Sequence, residues 1–258
     1  MNYNQLVIFG STSSIAKALL PSLDFEPNQI LSIDRLSNKQ VVNEYIPEKN
    51  QFRIDWSDVS GIEEFVSKIL NDCLIGPVLI LNFMGSFGQI ERIEKLDIAD
   101  ALSTNSKNLL PFLLVAKLAK FMLPGTQIIS FSGAGVGGDN LDDSSLGYLA
   151  SKASMALLTE SIDQQLAPYE IRFGLIAPGA FPSRMQEVVA QENPRKIPEL
   201  RISRAKEVMS SSASTEKLAH LVAFLADNPH LLGGRTWSAN FDDLTDKQGN
   251  FGKLRRFH

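Results

Sequence analysis

A single cysteine, Cys73, is the only thiol in this chain of 258 residues. One thiol closes no internal disulfide, which suits a reducing compartment such as the cytoplasm. Histidine is scarce too: His220, His230 and His258 are scattered, without metal-ligand spacing, so no metal site is expected. No run reaches about 18 apolar residues, so no membrane span is expected. The opening Met1-Asn2-Tyr3-Asn4-Gln5 lacks the charged and apolar regions of a secretory signal. Basic charge is not in excess; at a net charge of −4, wholesale nucleic-acid binding is not expected. Repeats, low-complexity tracts and linkers are absent as well, so residues 1–258 read as one domain. An apolar fraction of 44% is enough for a globular core.

What is present is alternation. Gln5 to Gly10 is a short apolar run closed by glycine, followed by a helix from Ser14 to Leu20 that stops near Pro21. Ile30 to Asp34, Gln51 to Asp55 and Val78 to Phe83 read as strands. The last is apolar almost throughout, as in a parallel sheet covered on both faces. Val59 to Leu70 is amphipathic, Asp97 to Phe121 is a long helix containing Pro111, and Thr126 to Ser132 is a fifth strand. Tyr148 to Ala167 is helical, Ile171 to Ile176 a sixth strand and Arg235 to Ala239 a seventh. Strands alternating with helices predict an α/β fold: a doubly wound, mostly parallel seven-stranded sheet with helices on both faces, Rossmann-like.

The first strand, turn and helix form the usual seat of a dinucleotide pyrophosphate, where backbone N–H groups and a helix N-terminus meet negative charge. The turn reads Gly10-Ser11-Thr12-Ser13-Ser14-Ile15-Ala16 and has one glycine where the strong pattern has three. It fits an ordinary strand-to-helix turn as well as a phosphate seat; Ser14 and Ala16 are small enough for a backbone to approach a phosphate. Asp34 ends the second strand, where a carboxylate accepts from ribose hydroxyls and repels a 2′-phosphate, which favours NAD. Arg35 beside it suits NADP instead. Asp55 ends the third strand and serves either the adenine edge or a helix N-cap. Asn82-Phe83-Met84-Gly85 ends the fourth, where Gly85 lets backbone lie against a cofactor. A second glycine run, Gly133 to Gly138, has the G-x-G-x-x-G spacing but leads into Asp139 to Asp143, a loop and not a helix.

Tyr148 and Lys152 stand four apart and so share one face of their helix. A phenol has a pKa of about 10 and is a poor acid at neutral pH. An ammonium one turn away favours the phenolate and fits the phenol for proton exchange with an alcohol or carbonyl. Alone, the spacing also fits a half-buried tyrosine beside an exposed lysine.

Together, Gly10 with Ile15-Ala16, Asp55, Asn82-Phe83-Met84-Gly85, Asn105, Ser132, Tyr148, Lys152 and Pro178-Gly179-Ala180-Phe181-Pro182-Ser183 resemble, in order and spacing, the short-chain dehydrogenase/reductase family across nearly the whole chain. The resemblance implies an NAD(P)-dependent oxidoreductase acting on a secondary alcohol or ketone. Tyr148 would exchange the proton; Lys152 would lower its pKa and bind the nicotinamide ribose. Asn105 would hold a relay water, Ser132 would steady the substrate oxygen, and Ser183 would bond the nicotinamide carboxamide. Ile15 and Ala16 would line the pyrophosphate. The family also implies a homodimer or homotetramer.

Two departures stand out. The turn is poor in glycine, and Gly133 falls where the reactive serine commonly sits, with Ser132 one place earlier. Ser132 also fits a strand-end hydroxyl bonded to backbone. Residues 184–214 would form a lid over the substrate. Its Arg184, Arg195, Lys196, Arg201, Arg204 and Lys206 suit an anionic small molecule such as a sugar phosphate or nucleotide sugar. They equally suit a solvated helix paired with Glu187, Glu192 and Glu199. The Ser-Gly-Ala-Gly run resembles that of reductases in surface-polysaccharide pathways. Phe241, Phe251 and Phe257 in the tail are candidates for docking on a neighbouring subunit. Two further readings share the fold: a sugar-nucleotide epimerase or dehydratase with retained NAD, and a non-catalytic nucleotide-binding scaffold.

Overall fold

The computed structural model describes residues 3–35, 44–54, 59–133, 145–179, 181–210, 214–239 and 242. Among these, the chain runs β1 (Gln5–Phe9), α1 (Ser14–Leu19), β2 (Ile30–Arg35), β3 (Glu44–Ile46), β4 (Gln51–Ile54), α2 (Val59–Cys73), β5 (Val78–Asn82) and α3 (Ile98–Leu118). It continues with β6 (Gln127–Phe131), α4 (Leu146–Leu166), β7 (Arg172–Ala177), α5 (Arg184–Ala190), α6 (Glu199–Met209), α7 (Ser214–Asp227), α8 (Pro229–Leu232) and β8 (Thr236–Ser238).

The strands form one sheet in the order β3-β4-β2-β1-β5-β6-β7-β8. All pairs are parallel except β3 with β4. The sheet therefore has eight strands where seven are expected. The extra one, Glu44-Tyr45-Ile46, is an antiparallel edge strand of three residues, too short to show an alternating pattern. It is held to β4 by Tyr45 stacked on Phe52 at 4.3 Å and by an Arg53–Glu44 pair at 3.2 Å. The long helix runs through Pro111 without ending, because the ring removes one donor while the apolar flank of α3 stays packed.

Each inner strand sends alternate side chains to opposite faces. Val7, Phe9, Ile80 and Phe173 enter the core under α2, α3 and α4. Leu6, Ile8, Leu81 and Ile176 enter the core under α1 and α7. A third, small core lies under α5 and α6: Val189, Ile197, Ile202 and Ala205 close on Ile90, with Phe87 against them. No helix among the described residues is long and apolar enough to cross a membrane.

The chain starts at β1, builds outward to β4, then returns to β5 on the other side of β1. The crevice of an open sheet lies at such a switch, beyond the carboxyl ends of the strands. Behind that rim, α4 is tied to β7. Asp163, 5% exposed, accepts from Arg172 Nε at 3.1 Å, from Arg172 Nη2 at 2.7 Å and from the Phe173 N–H at 2.8 Å. Removing the carboxylate leaves a buried N–H and a cation unpaired. Asp163→Ala should lower stability in urea unfolding by about 3 kcal/mol, and a loss below about 1 kcal/mol would mean that water replaces the pair.

Candidate active site

The crevice begins where β1 ends. Gly10 turns with φ of 84°, and a Cβ there would stand 3.1 Å from Met84 Cγ and 3.3 Å from the Met84 nitrogen. The one glycine of the turn is thus required twice, by its dihedral and by the loop after β5. Ser13 caps α1 by accepting from the Ala16 N–H at 3.1 Å. Ala16 is buried, while Ser14 and Ile15 face a hollow.

Asp34 is 2% exposed and accepts three hydrogen bonds: from Ser11 Oγ at 2.5 Å, Gln51 Nε2 at 2.7 Å and the Thr12 N–H at 3.3 Å. Its carboxylate therefore ties β2 to the turn and to β4. Arg35, next along, is exposed and lines a hollow of about 200 Å³ with Met84, Lys107, Leu110 and Pro111. Asn82 is buried; its Nδ2 donates to Ser130 Oγ at 3.3 Å and its Oδ1 accepts from the Met84 N–H at 3.2 Å, so it shapes the loop. Asp55 lies outside the described residues.

Tyr148 and Lys152 stand in the first two turns of α4. Gly147 lets that turn rest on α3, since a Cβ there would meet the Ala101 carbonyl at 2.6 Å. Lys152 is 4% exposed; its Nζ donates to the Phe131 carbonyl at 3.0 Å and lies 5.5 Å from the Tyr148 ring centre. Phe87 meets the Tyr148 ring edge to face at 5.2 Å. Ser132 is buried at the same rim, its hydroxyl 3.4 Å from the Gly133 carbonyl. Gly133 lies directly against the phenol: a Cβ there would be 1.9 Å from the Tyr148 oxygen.

Asn105 is half-buried on α3, and the asparagine brought to Lys152 is Asn108. A Cβ on Gly85 would lie 2.7 Å from Asn108 Oδ1 and 3.7 Å from Lys152 Nζ, so the three meet at one point. Asn108 is fully buried; Oδ1 accepts from the Ser86 N–H, and Nδ2 donates to the Ser86 and Thr104 carbonyls, each at 2.9 Å. Three helical residues turn the side chain by about 60°, which separates 105 from 108. The sequence signal was available, since an asparagine on the buried stripe of α3 is unusual, but the family spacing points to Asn105 instead.

Pro178 is buried and Gly179 turns with φ of 80°. Ser183 caps α5 by accepting from the Gln186 N–H at 3.4 Å. It lines a second hollow, of about 310 Å³, with Ser14, Ile15, Ser132, Tyr148 and Lys152. Gly85 and Ser86 line both hollows, so the two lie side by side along the rim from Arg35 to Tyr148. Of the cations in residues 184–214, Arg184 lines this second hollow. Lys196 is taken by Glu91 at 2.7 Å and Glu192 at 3.7 Å, and Arg201 donates to Ser145 Oγ at 3.4 Å and lies over Phe87. Most of loop 133–138 and all of Phe241, Phe251 and Phe257 lie outside the described residues.

The family model described as short chain dehydrogenase matches residues 4–194. This chain belongs to the short-chain dehydrogenase family. A Diaporthe leptostromiformis protein described as short-chain dehydrogenase/reductase PhomF is 33% identical over 79 residues, which is 31% of this chain and 27% of that protein. The match thus spans little more than a quarter of that relative's length. Thermoplasma acidophilum aldohexose dehydrogenase superposes with a TM-score of 0.68 at 18% identity, covering 92% of each chain. A short-chain dehydrogenase/reductase from Saccharomyces cerevisiae superposes at 0.70 with 13% identity, over 92% of this chain and 96% of that one. At these identities the likeness is one of fold.

Members of this family are oxidoreductases that use a nicotinamide dinucleotide, and the residues present fit one. The two adjacent hollows offer a rim with apolar walls near Leu110, a close-approach glycine at the turn, and a buried amine and a phenol at the far end. In this short-chain dehydrogenase, burial pushes the Lys152 ammonium down to about 8 from 10.5. Below pH 8 the folded state keeps a charge in apolar surroundings that the unfolded chain exposes to water. That penalty fades as pH rises toward 10.5, where lysine is neutral in both states, so stability rises across this window. Lys152→Met should exceed the wild type in stability at pH 7 by up to about 3 kcal/mol, taking roughly 1.4 kcal/mol per pKa unit. The advantage should shrink steadily in urea unfolding at pH 7, 8.5 and 10; a constant difference would trace it to packing.

Proposed function

We propose that this chain transfers a hydride between NAD and the carbon of a secondary alcohol or ketone in a polyhydroxylated, anionic small molecule such as a sugar phosphate or nucleotide sugar. The observation that carries the reading is the Tyr148–Lys152 pair, with its amine buried and fixed on the Phe131 carbonyl at the rim. The bound nicotinamide supplies hydride chemistry that side chains lack. The chain's own part is the proton. In the reducing direction Tyr148 would give its hydroxyl proton to the substrate oxygen while the carbonyl carbon receives the hydride, so that the carbonyl becomes an alcohol with its C–O bond kept. The phenolate that remains is favoured by the adjacent ammonium of Lys152. In the oxidising direction the same phenolate takes the proton back. Ser132 steadies the substrate oxygen, and Asn108, rather than Asn105, is the asparagine placed to order the proton path beside Lys152. Ser183 meets the nicotinamide end of the cofactor and Ser14 and Ile15 its pyrophosphate.

NAD is the preferred form on this reading. The Asp34 carboxylate is held in place by neutral donors, so its charge stays at the ribose end and repels a 2′-phosphate. Arg184 is the lid cation that meets an anionic substrate, since Lys196 is already paired. Self-association into a homodimer or homotetramer is supported by Ile98, Leu102 and Leu113 on α3 and Leu157 on α4, which are 69, 64, 44 and 69% exposed. With its single thiol, the chain suits the cytoplasm.

Tyr148→Phe should cut turnover on a panel of sugar phosphates and nucleotide sugars by about 1,000-fold, within the range of general acid catalysis. NADH binding, followed by cofactor fluorescence, should stay within about threefold, because the phenol acts on the substrate oxygen. Full activity in that variant would refute the role of Tyr148. Asp34→Ala should narrow the ratio of NADPH to NADH dissociation constants; an unchanged ratio would pass the selection to Arg35.

A further inference from the structure

We infer that Gly133 is a positioning residue for Tyr148: the side chain it lacks is what lets the phenol hydroxyl rest on the carboxyl end of β6. The inference builds on the proposed role of Tyr148, although its geometry stands apart from any substrate.

The backbone at 133 makes no demand for glycine, since it is not among the described glycines with positive φ. Space makes the demand. A Cβ at 133 would lie 1.9 Å from the Tyr148 oxygen, 2.6 Å from Cζ and 2.8 Å from Cε1, all inside the 3.0 Å that real Cβ atoms keep. These three atoms belong to one rigid ring, so the clash is relieved only by swinging the whole ring about its Cα–Cβ bond or by moving the backbone. The ring is also held from other directions. Phe87 abuts it at 5.2 Å, and Gly147 seats the start of α4 on the Ala101 backbone. A side chain at 133 would therefore move the phenol as a body.

The same three residues of chain place its partner. Phe131 takes the Lys152 amine on its carbonyl, and Gly133 takes the phenol on its Cα. Residues 131–133 thus fix the separation of acid and ammonium. Where the family resemblance leads one to expect a serine, this chain gives its space to the tyrosine. Serine at 133 does not complete the site; it breaks it.

Gly133→Ala and Gly133→Ser test this in the full-length protein. Tyr148 ionisation is read as the tyrosinate absorbance difference between each protein and its Tyr148→Phe counterpart. Both variants are expected to move that titration upward by at least about half a unit as the phenol leaves the ammonium. Both should bind NADH within about threefold of wild type and lose at least about 100-fold in kcat, as expected for a misplaced general acid. Wild-type ionisation in either variant, or a gain in kcat from Gly133→Ser, would overturn the inference. If Gly133→Ala folds poorly, Tyr148→Ala supplies the second leg of a cycle. Gly133→Ala should cost much stability alone and almost none when the ring is gone; an equal cost in both backgrounds would also overturn it. If the wild type binds neither NADH nor NADPH, the oxidoreductase reading fails, while the ionisation and stability measurements still decide the role of Gly133.

Discussion

A lysine amine donating to a backbone carbonyl at the end of a buried strand holds this site together. Lys152 has almost no access to water, and its amine donates to the Phe131 carbonyl. An ammonium in such a place is costly, and the structure keeps it because α4 carries it there with Tyr148 one turn away. The strand end, the helix start and the loop after β5 must all be in register for the amine to find that oxygen. Gly147, Gly85 and Gly133 are the points where other backbone or side-chain atoms come too close for a Cβ. Glycine here serves contact between elements, whereas at Gly10 it also serves a positive dihedral.

The turn that would receive a pyrophosphate is organised differently from the glycine-rich form. Two of the expected glycines are Ser14 and Ala16, and Ala16 is packed inward. Order comes from the flank, where Asp34 gathers Ser11, the Thr12 N–H and Gln51. A carboxylate with three donors is a stiff joint. Turn, β2 and β4 share that joint, so residues far apart in the chain set the shape of one loop.

Much of this was legible in the sequence, for identifiable reasons. Apolar runs such as residues 78–81 suit the middle of a covered parallel sheet, and four-residue spacing places Tyr148 and Lys152 on one face of a helix. The edge strand Glu44–Ile46 escaped because three residues carry no period. Asn108 escaped because the family spacing points to Asn105. The Gln51 bond to Asp34 and the nearness of Gly133 to the phenol are long-range meetings. They depend on how strands align side by side, which local pattern does not encode. In sequence the cations of residues 184–214 fit a ligand site or a solvated, glutamate-paired helix, and only the fold shows Lys196 paired with Glu91.

The small core under α5 and α6 carries one more implication. Val189, Ile197, Ile202 and Ala205 bind α5 and α6 into a unit that closes on Ile90 and leans on Phe87. Phe87 in turn braces Tyr148. A shift of α5 and α6 against Ile90 would therefore reach the phenol through a single benzyl ring, so the packing of that segment and the setting of Tyr148 are mechanically linked.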